Sequence, residues 1–217
     1  MYLLFEGGEG AGKTTLLPKL GRALEELGHQ VCLTREPGGT PLGEKLRAIM
    51  LDPENAGLIP HESMFLMMLA TRTALMRSVI IPALKRGGIV LCDRGLGSSL
   101  IYQGLAEEEL GAFGPHHQHL LELLCEIAQL GHSPDHVIVL DVDAQIGVER
   151  RRSDQAPLSV FDVQEVELQA KRNAWFRRFG STKRNWHLVN ANRDEEAVES
   201  DALALVLSLL KPDSVQQ

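Results

Sequence analysis

Cysteine is scarce and scattered. Cys32, Cys92 and Cys125 lie far apart among 217 residues, too few for a disulfide framework and without the paired spacing of a zinc site. Cys32 and Cys92 fall in apolar, strand-like runs and read as small buried hydrophobes rather than redox groups. Positive charge is also in deficit: 22 Lys+Arg against 29 Asp+Glu leave a net charge of −7. An acidic chain without an extended basic patch argues against a nucleic-acid or anionic-membrane surface. A single small anionic ligand stays open, because a phosphate site needs only local positive potential. Met1 to Glu6 carries no basic segment followed by a long apolar run and a cleavage site. No uninterrupted apolar run reaches bilayer length. The expectation is a cytoplasmic protein that binds neither nucleic acid nor membrane. Repeats, low-complexity segments and interdomain linkers are missing too, so residues 1–217 read as a single domain of ordinary size.

What is present is an alternation of short apolar runs with longer stretches of helical period, the signature of an α/β protein with a parallel sheet and helices on both faces. Five strands are expected at 2–6, 31–35, 88–92, 136–141 and 186–190. Ile89-Val90-Leu91-Cys92 and Val137-Ile138-Val139-Leu140 are apolar throughout, as strands covered on both sides should be. Helices are expected at 13–28, 41–51, 61–85, 97–108, 115–131, 144–152, 163–179 and 194–210. Pro82 should kink or end the third of these. Residues 153–162 are the best candidate for a mobile loop, and 212–217 for a frayed tail.

The strongest motif comes first in the chain. Gly7-Gly8-Glu9-Gly10-Ala11-Gly12-Lys13-Thr14, extended by Thr15, satisfies G-x-x-x-x-G-K-[ST] between a strand and a helix. Its glycines let backbone N–H groups turn inward around phosphate oxygens. The helix behind it adds the positive end of its dipole. Lys13 would place a compact charge on the β and γ phosphates of ATP, and the Thr14 hydroxyl would ligate Mg2+. The sheet is therefore expected to be of the P-loop NTPase type, with ATP as co-substrate.

Two later segments narrow the reading. Thr34-Arg35-Glu36-Pro37-Gly38-Gly39-Thr40 follows the second strand. Asp93-Arg94-Gly95-Leu96-Gly97-Ser98-Ser99-Leu100-Ile101-Tyr102-Gln103-Gly104 follows the third. With the P-loop, these resemble the three signatures of bacterial thymidylate kinases, within the P-loop nucleoside monophosphate kinases. The spacing matches from residue 1 to about 152 and more loosely beyond. The resemblance implies phosphorylation of dTMP to dTDP by ATP with Mg2+, in supply of dTTP, by a homodimer.

All of these segments fall at the carboxyl edge of the strands, where ligands sit in open parallel sheets. A monophosphate kinase must hold two polyanions in line, so it needs cations between them and a carboxylate to organise magnesium. Arg35 and Arg94 would orient the acceptor phosphate, and Asp93 would organise the metal. The resemblance puts Glu9 on the acceptor sugar and Ser98, Ser99, Tyr102 and Gln103 around the base. Arg72 is notable without it. It falls on the apolar stripe of helix 61–85, four residues after Met68, and a buried arginine needs a carboxylate or a ligand. By resemblance that ligand is a thymine carbonyl. Arg150-Arg151-Arg152 ends the helix before a lid at about 150–163. Arg150 and Arg152 match the family's lid arginines best, and would stabilise the transferring phosphoryl group because the P-loop has Gly10 rather than an arginine.

Three positions depart from the family pattern. Met68 stands where an aromatic ring usually stacks on thymine. Gly95 stands where an aromatic or histidine usually follows Asp93-Arg94. Asp162-Val163-Gln164-Glu165 replaces the usual Asp-Arg-x-Glu of the lid. The expectation is a pyrimidine monophosphate kinase that discriminates bases less sharply. Another acceptor, or a nucleotide-binding protein that has lost turnover, remains open. A GTPase-like switch is disfavoured, since no guanine-recognition motif of the N/T-K-x-D kind is present.

Overall fold

A computed structural model of the chain describes residues 1–102, 117–153 and 166–211. Gln103, lid residues 154–163 and the tail from 212 lie outside the described residues. So do the expected helical residues 103–108, 115–116 and 163–165.

Five parallel strands form one sheet in the order β2-β3-β1-β4-β5. They are β1 (Tyr2–Glu6), β2 (Val31–Arg35), β3 (Ile89–Asp93), β4 (His136–Asp141) and β5 (Trp186–Asn190). The central strand pairs Tyr2 with Val90 on one side and Leu3 with His136 on the other. Alternation along these strands divides the interior in two. Leu3, Phe5, Leu91, Ile138 and Leu140 face α1 (Lys13–Glu26) and the last helix, α8 (Glu195–Leu210), through Leu16, Leu20, Val198 and Val206. Tyr2, Leu4, Val90, Cys92, Val137 and Val139 face Leu75, Met76, Ile80, Ile101 and Phe176 on the other side. The result is three layers, helix–sheet–helix.

The intervening helices are α2 (Pro41–Leu51), α3 (His61–Lys85), α4 (described over 96–102), α5 (His117–Ala128), α6 (Ala144–Ser153) and α7 (Val166–Thr182). Pro82 does not break α3. A π turn at Met76–Ile80 precedes it and a last α-helical stretch, Ile81–Lys85, carries it. Proline lacks the N–H of the regular ladder and crowds the preceding turn, and a wider turn accommodates both defects. α3 has 25 residues and an 18-residue stretch of mean hydropathy 1.5, so it is long and apolar enough to cross a bilayer. Its Phe65, Leu75, Met76 and Ile80 are instead buried in the protein core.

Two expectations shift. α7 runs to Thr182, past Gly180, because that glycine is a packing position: a Cβ there would overlap Leu188 of β5. Cys32 is half-buried rather than buried, because β2 is an edge strand with only β3 beside it. Cys92 and Cys125 are buried.

Candidate active site

The carboxyl ends of β1, β2 and β3 deliver the P-loop, Arg35-Glu36 and Asp93-Arg94 to one edge of the sheet. A cavity of about 1010 Å3 opens there, bordered by the P-loop from Glu9 to Thr15 and by Asp93. A smaller one, about 100 Å3, is bordered by Met64, Met68, Ser98 and Tyr102. Glu9, Glu36, Arg47 and Arg94 border both.

Gly7, Gly10 and Gly12 have φ of 140°, 69° and 91°, a region open to glycine at little cost. A side chain at Gly10 would overlap the backbone of Gly147 in α6, and a Cβ on Gly147 would come within 2.5 Å of the Glu9 carbonyl. The bare P-loop is thus pressed against α6, the helix that ends in Arg150, Arg151 and Arg152. On the other flank Asn173 of α7 donates to the Val142 carbonyl at 2.8 Å and abuts Gly8, where a Cβ would overlap it. Thr14 and Thr15 are exposed, and Ala11 is buried among the apolar side chains beneath the loop.

Lys13 is buried and donates to the carbonyls of Gly7 (2.9 Å) and Gly8 (3.1 Å). Burial, followed by the charge of Arg94, lowers its pKa to about 8. Thr14 Oγ1 donates to Asp93 Oδ2 at 3.4 Å, while Asp93 Oδ1 is buried with no partner. An unpartnered carboxylate oxygen beside a hydroxyl is a hard-oxygen pair suited to Mg2+, which takes few protein ligands and completes its shell with phosphate and water. No three His, Cys, Asp or Glu side chains converge into a closed cation cage among the described residues.

Arg94 is the hub. It adopts φ 66°, a left-handed conformation that costs a non-glycine residue about 1–2 kcal/mol. Its N–H donates to the Phe5 carbonyl at 2.8 Å, fixing the turn. Its guanidinium donates to Glu9 (2.6 Å), Ser98 Oγ (3.1 Å), Gly7 O (3.2 Å) and Tyr102 Oη (3.3 Å). Burial opposes its charge, but Glu9 and its other anionic neighbours outweigh burial and raise its pKa. Tyr102 Oη also donates to Glu9 at 3.0 Å, and its pKa is raised mainly by burial. Arg172 of α7 lies over the Tyr102 ring, 4.2 Å from its centroid.

Arg72 finds a carboxylate. It is 1% exposed and donates through Nε to Glu36 at 2.7 Å, and through Nη2 to Ser99 Oγ at 2.9 Å. Burial opposes its charge as well, and Glu36 outweighs it. Neither Arg72 nor Ser99 borders the small cavity, and both lie behind its wall. Glu36, which the sequence reading passed over, borders both cavities and keeps one buried oxygen, Oε1, without a partner.

The remaining cations divide unevenly. Arg35 borders the large cavity but is half-exposed and paired with Glu44 at 2.9 Å. Arg47 was also missed. It holds the Pro37 carbonyl at 2.8 Å and borders both cavities. A signal existed, since Gly43, Arg47 and Met50 follow i, i+4, i+7 on α2 and the outer two are buried. Arg150 donates to the carbonyls of Ala191 (2.7 Å) and Arg193 (3.0 Å) at the cavity edge. Arg151 borders the cavity, whereas Arg152 is exposed and does not. Gly95 has a Leu4 methyl 2.8 Å from where its Cβ would stand, so the ring usual at this position has no room on this backbone.

A phosphate-binding loop that opens onto a second, arginine-edged pocket at the same sheet edge defines a P-loop phosphotransferase for nucleotides. The thymidylate kinase family model matches residues 5–202. Named thymidylate kinases resemble the chain nearly end to end. That of Thermomicrobium roseum is 38% identical over 211 residues, 97% of this chain and 96% of that protein. Those of Solidesulfovibrio magneticus and Deinococcus radiodurans are both 35% identical, the first covering 97% of this chain and 100% of its own length, the second 95% and 96%. The chain belongs to the thymidylate kinase family, and is a nucleoside monophosphate kinase of the kind that phosphorylates dTMP to dTDP at the expense of ATP.

Proposed function

We propose that the large cavity receives the phosphates of ATP and the small one the thymine of dTMP, with the two substrates meeting over Arg94. The observation that carries this is the shared border. Glu9, Glu36, Arg47 and Arg94 face both cavities, so a nucleotide in the small pocket presents its phosphate to the mouth of the P-loop.

The inward N–H groups of residues 7–15 and the Lys13 ammonium cradle the β and γ phosphates. Thr14 and Asp93 would hold Mg2+, which supplies neutralisation of charge on the bridging phosphate oxygens. Arg94 orients the acceptor phosphate, with Arg47 and Arg35 nearer the rim. Glu9, held by Arg94 and Tyr102, faces the acceptor sugar. Met68, Ser98 and Tyr102 border the base, and Arg72 and Ser99 brace that pocket from behind. An oxygen of the acceptor phosphate attacks the γ phosphorus in line as its bond to the β-phosphate oxygen breaks, and ADP leaves. No protein nucleophile takes part, so positioning and charge do the work. Arg150 and Arg151 at the cavity edge, with Arg152 beside them at the end of α6, supply the added positive charge. The Met64 and Met68 border, with a methionine at the position where the family usually stacks a ring, supports a second feature: weaker discrimination among pyrimidines. We further propose a homodimer, supported by exposed Leu66 on α3 and Leu123 and Ile127 on the adjoining α5. Its setting is the cytoplasm, where both nucleotides are available.

The test is a coupled ADP-release assay with ATP and Mg2+ across dTMP, dUMP, UMP, CMP, GMP and AMP. Turnover highest with dTMP but substantial with dUMP is expected. ATP binding with no acceptor-dependent ADP release would refute the proposal.

A further inference from the structure

Glu6, the last residue of β1, lies directly before the P-loop and takes no part in the reaction proposed above. It is 0% exposed. Its carboxylate reaches the start of α4, where Oε1 accepts the N–H groups of Gly95 (3.1 Å) and Ser98 (2.9 Å) and Oε2 accepts the Ser98 hydroxyl at 2.6 Å. The first turn of a helix has N–H groups without partners of their own, and a carboxylate at that end satisfies them and complements the dipole. α4 is therefore capped from another strand rather than by a residue of its own sequence. The backbone makes room for this. A Cβ on Gly97 would stand 2.9 Å from Glu6 Oε1 and 2.8 Å from the Trp186 ring.

The turn that Glu6 holds carries Ser98 and Ser99. Ser98 Oγ donates to Glu6 and accepts from Arg94 Nη1, while Ser99 Oγ accepts from Arg72. We infer that Glu6 is a positioning residue for the acceptor phosphate: it fixes Ser98, and through the Ser98 hydroxyl the direction of Arg94. This rests on the reading that Arg94 meets that phosphate. Charge adds to geometry. Glu6 and Glu9 are two carboxylates near one guanidinium, and Glu6 is the one without access to water or ligand.

The effect of Glu6 should therefore be specific to the phosphate. Binding of dTMP and of thymidine, which shares the base and sugar but has no phosphate, is measured by calorimetry for the wild-type chain and for Glu6→Gln, Ser98→Ala and Arg94→Ala. In Glu6→Gln the carboxamide keeps the shape and can still accept the two N–H groups, but its NH2 replaces the acceptor for the Ser98 hydroxyl. Loss of that charge-assisted link should weaken dTMP about tenfold while thymidine binding changes less than about twofold. Ser98→Ala, which leaves Glu6 and its backbone bonds in place, removes an edge of the base pocket from both ligands alike. It should therefore still weaken dTMP about tenfold more than thymidine, and it decides the matter if Glu6→Gln does not fold. Equal weakening of dTMP and thymidine would mean that Glu6 merely supports α4, and would overturn the inference. So would unchanged dTMP binding in Glu6→Gln or in Ser98→Ala while Arg94→Ala loses it. No selective loss in Arg94→Ala would instead refute the phosphate role of Arg94 itself, and the inference with it.

Discussion

Glu36→Ala removes the carboxylate from a pair sealed inside the protein. The Arg72 and Glu36 side chains are 1% and 2% exposed and 2.7 Å apart. An exposed pair of the same length contributes at most about 1 kcal/mol. Here removal of one partner strands a guanidinium with only Ser99 and the Cys125 sulfur, at 2.9 and 3.6 Å. Neither carries the compensating charge, so the loss should be about 3–5 kcal/mol, the cost of an uncompensated buried charge. For a chain of this size each kcal/mol moves the melting temperature by about 2–4 °C, which puts the drop at roughly 6–20 °C. Arg72→Met should cost a similar amount, since it strands Glu36. The double variant Glu36→Ala/Arg72→Met should recover much of the loss, because apolar substitutes leave no charge to satisfy. Urea and thermal unfolding of the two single variants and the double, followed by circular dichroism, give the cycle. A loss under about 1 kcal/mol in Glu36→Ala, or singles that simply add in the double, would refute the sealed-pair reasoning.

Lys13 gives a pH dependence. Its pKa is lowered to about 8, and the competent form is the ammonium. Half of the charge is left at a pH of about 8 and nearly all of it one unit below, so kcat/KM for ATP should fall towards about tenfold per unit above it. A profile flat to pH 9.5 would contradict this. Asp93→Asn should raise the Mg2+ concentration for half-maximal rate by about tenfold or more with little change in melting temperature, checked by magnesium titration. Met68→Phe should restore a ring to the base pocket and lower the Kd of dTMP by about tenfold, the low end of base–aromatic stacking, checked by calorimetry. Gly147→Ala pushes a methyl against the Glu9 carbonyl, so it should raise KM for ATP severalfold while KM for dTMP moves less, checked by steady-state kinetics.

The parts legible in the sequence are those built from neighbours along the chain. β1, the P-loop and α1 follow one another, and local glycines, Lys13 and the helix that begins at it announce the site without knowledge of the rest. The apolar run of β3 likewise leads straight into Asp93 and Arg94. What stayed hidden depends on which elements meet. Arg72 visibly lacked a partner, but Glu36 becomes that partner only because the end of β2 is laid beside α3. Glu6 looks like one more residue of a strand until the sheet order brings α4 over it. Arg152 looked equivalent to Arg150 because helical spacing alone cannot say which side of α6 meets the loop after β5. The π turn before Pro82 was illegible for another reason: proline announces a defect in the ladder, not the form of its repair.

The position of β1 has a consequence for how the chain is made. β1 is made before the other four strands of its sheet and becomes its middle, yet Tyr2 waits for Val90 and Leu3 waits for His136. Parallel pairings so distant in sequence are slow to form, since each must close a long loop before it gains contacts. The P-loop is synthesised directly after β1, but neither wall of that strand exists until β3 and β4 have emerged. Nucleotide therefore cannot steady the nascent chain before β4 has been made. β1, apolar on both faces, passes that interval uncovered, with Leu3 and Phe5 on one side and Tyr2 and Leu4 on the other open to solvent or to a chaperone.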